Sequence, residues 1–523
     1  MMRRSSQVSL VSTALGLGLI ALGPLHGCGG SGDDAPGGLL DAAVVPERTS
    51  PDGATNPDDG STNPDDGATT DADVDSGLIG VPIGTLSPTY VNFDINHVLI
   101  TGQSNAVANG GNPPITTTQP YTNIKFDTGV MPMGTCNGDG CDVYKTPTSF
   151  VPLVEGDSFF NYHVETSASG IANEISHLAQ DELKFGTRAG YPLKHDVLVS
   201  NHGRSGNTYL CLRKLFCQYN IDRGHTSPFA QGMLEVQSAK ALAGAAGRSY
   251  VVRAVTAIHG ESDHYGFVGP GGNPEFPMNG TDGTPNKIKD YSDALVEWQQ
   301  DYESSIRAIT GQTQPVPLLI SGLSGFTTTR TSPVWQWQLD AHVRAPGKVV
   351  YVTPAYPLTV REDCLHYDQN GYRKLGEYFA KVYTRIVFNG QKWEPVRPKQ
   401  ITRAGNVITV KFHVPVPPLA FDTVGVSAAD NMGFDVLDNG AIVASTAALS
   451  GADTVTITLA GAPAGALRLR YAENESIPGC IGPGTQPNLG VGARGNLRDS
   501  DAAPSQYGYA LFNWGANFDV PVP

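Results

Sequence analysis

With 523 residues, 40% of them hydrophobic, the chain has material for a large buried core and the length for more than one domain. Its formal charge of -15 is uneven: twelve Asp and Glu against one Arg lie between Gly29 and Gly77, and the rest is only mildly acidic. That balance excludes charge-driven recognition of nucleic acid or of an anionic membrane surface, and 61 Gly with 38 Pro argues against long helical bundles.

The chain opens on Met1-Met2-Arg3-Arg4 and an apolar run over residues 8–22, which reads as an export signal. The run falls short of the ~20 residues that a membrane span needs. It closes on Leu25-His26-Gly27-Cys28, which resembles a bacterial lipobox, in which cleavage leaves the cysteine as the lipid-modified first residue. The expectation is therefore a signal over residues 1–28 and an exported protein held to a membrane through Cys28, or simply secreted if the lipobox is not used. Residues 29–85 are Gly, Asp, Pro, Thr and Ser with a repeated Thr-Asn-Pro-Asp-Asp-Gly, and should form a flexible, self-repelling tether.

Ordered structure is expected from residue 86. Short apolar strands are read over residues 97–101, 195–200, 250–258, 316–320 and 349–352, with helical periodicity over 230–246, 291–309 and 371–387. Apolar strands alternating with helices predict a parallel sheet covered on both faces, a three-layer α/β/α domain spanning residues 86–395. Ligands gather at the carboxyl ends of such strands, and the polar motifs of this chain follow strand ends. From residue 396 to 523 the pattern changes to period two, as in Val407-Ile-Thr-Val-Lys-Phe412 and Leu467-Arg-Leu-Arg-Tyr471, and predicts a β-sandwich-like domain.

Apart from Cys28, six cysteines remain in a chain bound for an oxidising compartment. Cys136 with Cys141 and Cys211 with Cys217 are close pairs, which would leave Cys364 for Cys480, although other pairings stay open. Neither close pair has the Cys-x2-Cys spacing of a zinc site, and neither a metal nor another cofactor is expected. Trp335 and Trp337 suit packing better than sugar stacking, and Asn279 and Asn474 begin glycosylation sequons.

The chemistry lies in four motifs. Hydrolysing an ester needs a nucleophile, a base, an orienter for that base, and donors for the oxyanion. Gly102-Gln103-Ser104-Asn105, Asn201-x-Gly-x-Ser-Gly206, Gly260-Glu261-Ser262-Asp263 and Asp363-x-x-His366 occur in that order. Each alone has a bland reading: a helix cap for Ser104, a glycine-rich turn, a structural histidine. Together they resemble the conserved blocks of the SGNH-hydrolase superfamily, in the branch of sialate O-acetylesterases and plant-type carbohydrate acetylesterases, over residues 96–389.

The resemblance implies Ser104 as nucleophile, His366 as base and Asp363 as its orienter, with the N–H groups of Ser104 and Gly206 as oxyanion donors. A Gln often precedes Gly-Glu in that branch. His259 stands there in this chain and is the candidate third donor, with Ser262 or another group as the alternative. Gln103 and Asn105 are expected to support the pocket, and Glu261 and Asp263 either to support it or simply to tie down the loop. The implied reaction is removal of acetyl groups from a carbohydrate through an acyl-serine. A general SGNH esterase, lipase or thioesterase is the alternative within enzymes. A surface glycan-binding lipoprotein is the alternative outside them.

Overall fold

The computed structural model describes residues 86–523 except 134–142, 160–161, 184–193, 216, 219–225, 265–275, 324–332, 362, 364 and 474–492. The expected signal, the Cys28 anchor, the tether, four of the paired cysteines (Cys136, Cys141, Cys364, Cys480) and the Asn474 sequon therefore lie outside the described residues. All described residues belong to one compact unit, Asp66–Pro523.

The main sheet has seven strands: Ile95–Gly102 (β1), Ile124–Phe126 (β2), Phe150–Pro152 (β3), Asp196–Asn201 (β4), Tyr250–Ile258 (β5), Leu318–Ser321 (β6) and Val349–Thr353 (β7). Their order is β3-β2-β4-β1-β5-β6-β7, parallel throughout except for the edge strand β3. All eight residues of the central β1 are buried, which explains why it reads as a continuous apolar run. The five strands expected from the sequence are present, and β2 and β3 extend the sheet on one side. Those two are three residues each, too short to leave a periodic signal.

Five main helices accompany the sheet: Ser167–Glu182 (α1), Pro228–Ala245 (α2), Tyr291–Thr310 (α3), Val334–Arg344 (α4) and Gln369–Tyr383 (α5). Helix α1 packs on α5, while α2, α3 and α4 pack in series, giving one helical group for each face of the sheet. Three of the helices match the expected periodic segments. Helix α5 ends in a π-helical turn, Thr384–Phe388, and Asp368 caps its start by accepting from Gly371 N–H at 2.7 Å. Trp335 lies on α4, 2% exposed and facing His264 at 5.2 Å, and Trp337 meets Phe276 edge-on, so this aromatic pair is packing.

Helices α1 and α5 cross through two glycines. A Cβ on Gly170 would lie 2.1 Å from the Arg373 carbonyl oxygen and 3.1 Å from Gly376 Cα. A Cβ on Gly376 would lie 2.3 Å from the Ser167 carbonyl oxygen. The backbones approach this closely only because neither position carries a side chain, which sets α5, and the loop before it, at a defined height over the sheet.

The C-terminal part is a sandwich of two four-stranded antiparallel sheets. Strands Arg397–Ala404 (β8), Val407–His413 (β9), Phe434–Asp438 (β10), Ala441–Val443 (β11), Ser445–Leu449 (β12), Thr454–Leu459 (β13), Leu467–Tyr471 (β14) and Phe518–Val522 (β15) supply them. The orders are β8-β9-β13-β12 and β11-β10-β14-β15. Ile408, Val410, Phe412, Val455 and Ile457 face Phe434, Val436, Leu469 and Phe518, with Phe412 meeting Phe434 and Phe518 at 6.5 and 6.3 Å. The hydrophobic core runs unbroken from β1 to this sandwich. A buried ion pair, Lys381 with Asp501 at 2.9 Å, joins α5 to the C-terminal segment.

The glycine crossing predicts that Gly170→Ala destabilises the protein by on the order of 2 kcal/mol through overpacking, although Ala is the better helix former. A urea-unfolding midpoint equal to or above that of the wild type would contradict the crossing.

Candidate active site

The Gly102–Asn105 motif begins where β1 runs out. Gly102 has φ +131°, and a Cβ there would lie 2.1 Å from the Ile258 carbonyl oxygen, so the chain turns against the end of β5 only with glycine at this position. Gln103 N–H then donates to Ile258 O at 3.2 Å, and Gln103 Oε1 accepts from Ser262 N–H at 2.8 Å. Ser104 follows at the tip of the turn and is 2% exposed. Asn105 is fully buried; its Nδ2 donates to Glu261 Oε1 at 3.2 Å and to Leu365 O at 3.1 Å. Its Oδ1 faces the Tyr372 hydroxyl at 3.0 Å. Gln103, Asn105 and Glu261 thus join three segments that are remote in sequence.

The second component is the turn before α5. Asp363 Oδ1 accepts the N–H groups of Leu365 and His366, both at 2.9 Å, and its Oδ2 meets His366 Nδ1 at 2.7 Å. One carboxylate therefore shapes the turn and holds the ring. Asp363 is 45% exposed at its side chain; its partial desolvation would raise its pKa, but the hydrogen bond and charge of His366, with the two backbone donors, hold it below its ordinary value. An ionised Asp363 fixes the proton on Nδ1 and leaves Nε2 with a lone pair, the form a general base requires. His366 is 6% exposed. The Asn105–Leu365 hydrogen bond ties this turn to the Ser104 turn, yet no hydrogen bond closes between Ser104 Oγ and His366 Nε2. The polar neighbour of Nε2 is instead Asn109 Nδ2, at 3.4 Å.

The third component is the loop after β4. Asn201 Nδ2 donates to Ala106 O at 2.7 Å while its Oδ1 accepts from Gly203 N–H at 2.9 Å. Arg204 N–H donates to Gly102 O at 2.8 Å, so this loop is stitched to the Ser104 turn at two points. Gly206, at φ +69°, ends the motif. Among the described residues, the N–H groups of Ser104 and Gly206 have no acceptor. Sequence reasoning missed the support behind the loop: Arg204 donates to Gln231 Oε1 at 2.5 Å, and Gln231 to Glu235 Oε1 at 3.0 Å. Glu235 also receives Ser200 Oγ at 2.7 Å and faces His202 Nδ1 at 3.1 Å. Gln231 and Glu235 lie outside the four motifs, and His202 and Arg204 fill the unspecified positions of theirs, so the sequence carried no signal for their roles.

His259 does not occupy the place expected of a third oxyanion donor. Its ring is fully buried, with Nδ1 2.6 Å from the Tyr291 hydroxyl and Nε2 facing Asn207 O at 3.1 Å and Asp263 Oδ2 at 3.4 Å. Burial pulls its pKa down to about 4, so the ring is neutral near pH 7 and has a single N–H. Two acceptors face Nε2, which places that N–H there, while Nδ1 accepts from Tyr291. The donor is therefore spent inside the protein. Asp263 Oδ2 accepts Tyr209 N–H at 2.9 Å, so His259 and Asp263 together grip residues 207–209, just beyond Gly206. A disulfide between Cys211 and Cys217 closes the following turn. No group of three or more His, Cys, Asp and Glu among the described residues is placed to hold a metal ion.

Burial raises the Asp263 pKa to about 7, only partly offset by the Tyr209 N–H. Between the ordinary carboxylate pKa and about 7, the folded state holds a proton that the unfolded state has lost, so this group's contribution to stability falls as pH rises through that window. Asp263→Asn, which has no such proton, should gain in stability relative to the wild type from pH 4 to pH 7 and hold the difference above it. Urea midpoints for both proteins across pH 4 to 8 check this; a difference independent of pH would refute the assignment.

No family model and no curated protein matches this sequence. Among solved structures, a carbohydrate acetylesterase from Xanthomonas citri is similar over 81% of this chain and 80% of its own, with 14% identity and a TM-score of 0.47. A protein from Arabidopsis thaliana is similar over 56% of this chain and 98% of its own (10% identity, TM-score 0.33). A carbohydrate acetylesterase from Sinorhizobium meliloti is similar over 56% of this chain and 98% of its own (9% identity, TM-score 0.26).

Proposed function

We propose that this chain is a serine esterase that removes O-acetyl groups from carbohydrates through an acyl-serine intermediate. The observation that carries the proposal is the Asp363–His366 pair, 2.7 Å apart and anchored by Asn105 to the turn that bears Ser104. An oriented imidazole with an acceptor lone pair at Nε2 beside a serine turn is the arrangement that activates a hydroxyl as a nucleophile.

In this reading Ser104 Oγ attacks the ester carbonyl while His366 Nε2 takes its proton. The N–H groups of Ser104 and Gly206 receive the developing oxyanion. The protonated His366 then gives its proton to the departing sugar oxygen, leaving acetyl-Ser104. Water, deprotonated by the same nitrogen, attacks the acyl carbon, and acetate leaves with Ser104 restored. His259 and Asp263 support the loop that presents Gly206 and take no part in proton transfer. The acetyl and carbohydrate preferences rest on the resemblance of the four motifs to carbohydrate acetylesterases. The proposal includes export and a lipid anchor at Cys28, with the acidic tether holding the enzyme away from the membrane.

Acetate release from acetylated xylan, O-acetyl sialic acid and p-nitrophenyl acetate tests it. Ser104→Ala should lose at least about 10³-fold in kcat on every substrate that the wild type turns over, and Asp363→Asn on the order of 10³-fold, with the fold intact. Undiminished turnover by Ser104→Ala would refute the nucleophile. Turnover confined to long-chain esters would favour a lipase, and no turnover by the wild type a glycan-binding role.

A further inference from the structure

If Ser104 and His366 act as proposed above, we infer that Asn109 is a further residue of that centre, whose side-chain N–H holds the Nε2 lone pair of His366 until Ser104 takes its place. The tautomer set by Asp363 leaves an acceptor at Nε2, and the group facing it at 3.4 Å is the amide nitrogen of Asn109, a donor. The opposite amide orientation would set Oδ1 against the lone pair, oxygen against nitrogen with no proton between. At 3.4 Å the contact lies at the long end of the hydrogen-bond range, as suits a partner that must be displaced.

The backbone is bent to deliver this side chain. Ala108, fully buried, stands at φ +59°, a conformation that costs a non-glycine residue energy, and Gly110 follows at φ +85°. Between them Asn109 is held at both ends of its own residue. Its N–H donates to Ser104 O at 3.0 Å, and its carbonyl accepts from the Tyr372 hydroxyl at 2.7 Å. Asn109 is thereby pinned to the nucleophile turn and to α5 at once, and the strain at Ala108 is explained by that placement.

No proton comes from Asn109 during the reaction. When an ester enters, the imidazole exchanges the Asn109 N–H for the Ser104 hydroxyl, and the proton that moves to Nε2 is the one leaving Ser104 Oγ as the new carbon–oxygen bond forms. The amide has a consequence for pH, because a donor at Nε2 favours the neutral ring. The charged groups around the ring are Asp363 at Nδ1 and Glu261, which lies behind Asn105. Arg361 lies beside the same turn; its backbone N–H donates to His366 O and its side chain packs over Gly110.

The test is the titration of the His366 ring by NMR, with the resonance assigned by its loss in His366→Gln. Asn109→Ala should raise the ring's midpoint by roughly half a unit and Asn109→Asp by more, since a carboxylate replaces the donor. The acid limb of kcat/KM should move up with it while KM stays within about twofold. A midpoint unchanged in Asn109→Ala overturns the inference. Should that variant fail to fold, an unchanged midpoint in the near-isosteric Asn109→Asp does so. The titration reads the ring and not turnover. Shifted midpoints in an inactive protein would therefore sink the proposed function alone, and unshifted midpoints in an active one the role of Asn109 alone.

Discussion

The candidate site depends on one buried amide. Asn105 sits immediately after Ser104, and its side chain meets Glu261 beyond β5, Leu365 in the base turn and Tyr372 on α5. A buried amide left unpaired costs about 1–3 kcal/mol, so any movement that separates these three segments is penalised at once. The same geometry that keeps the amide satisfied keeps the His366 turn beside the Ser104 turn. The Gly170–Gly376 crossing acts in the same direction from outside, by seating α5 close against α1.

Around that point the site is built in layers. The parallel sheet brings the ends of β1, β4 and β5 together, and each strand end carries one polar motif. Close backbone approaches at Gly102 and Gly203 let the three loops touch. Buried polar groups then hold the loops from behind: His259 and Asp263 grip residues 207–209, and Arg204, Gln231 and Glu235 brace the segment before Gly206. Burial keeps His259 neutral and holds a proton on Asp263 up to about pH 7, so these supports are hydrogen-bonding groups more than charges.

Much of this was legible in the sequence, for identifiable reasons. Apolar runs such as residues 97–101 mark fully buried strands, and motifs placed at their ends converge whenever the sheet is parallel. The spacing Asp363-x-x-His366 suffices for one turn to present both groups, which the structure reproduces at 2.7 Å. What a residue's partners do was not legible. The chemistry of His259 suits an oxyanion donor, but Asn207 O and Asp263 use up its N–H while Tyr291 fills its other nitrogen. Asn109 gave no signal because its position depends on the left-handed turn at Ala108, an unusual conformation for alanine. The period-two strands after residue 396 announced a sandwich, but not that its core would be continuous with that of the parallel sheet.

The central claim is that Ser104 is made nucleophilic by the Asp363–His366 pair. Reaction with a fluorophosphonate followed by peptide mass mapping tests this most directly, because the reagent reports activated serines without assuming a substrate. The account predicts a single adduct, on Ser104, formed much more slowly in Asp363→Asn. An adduct on another residue, or a Ser104 that labels equally fast without Asp363, would contradict it.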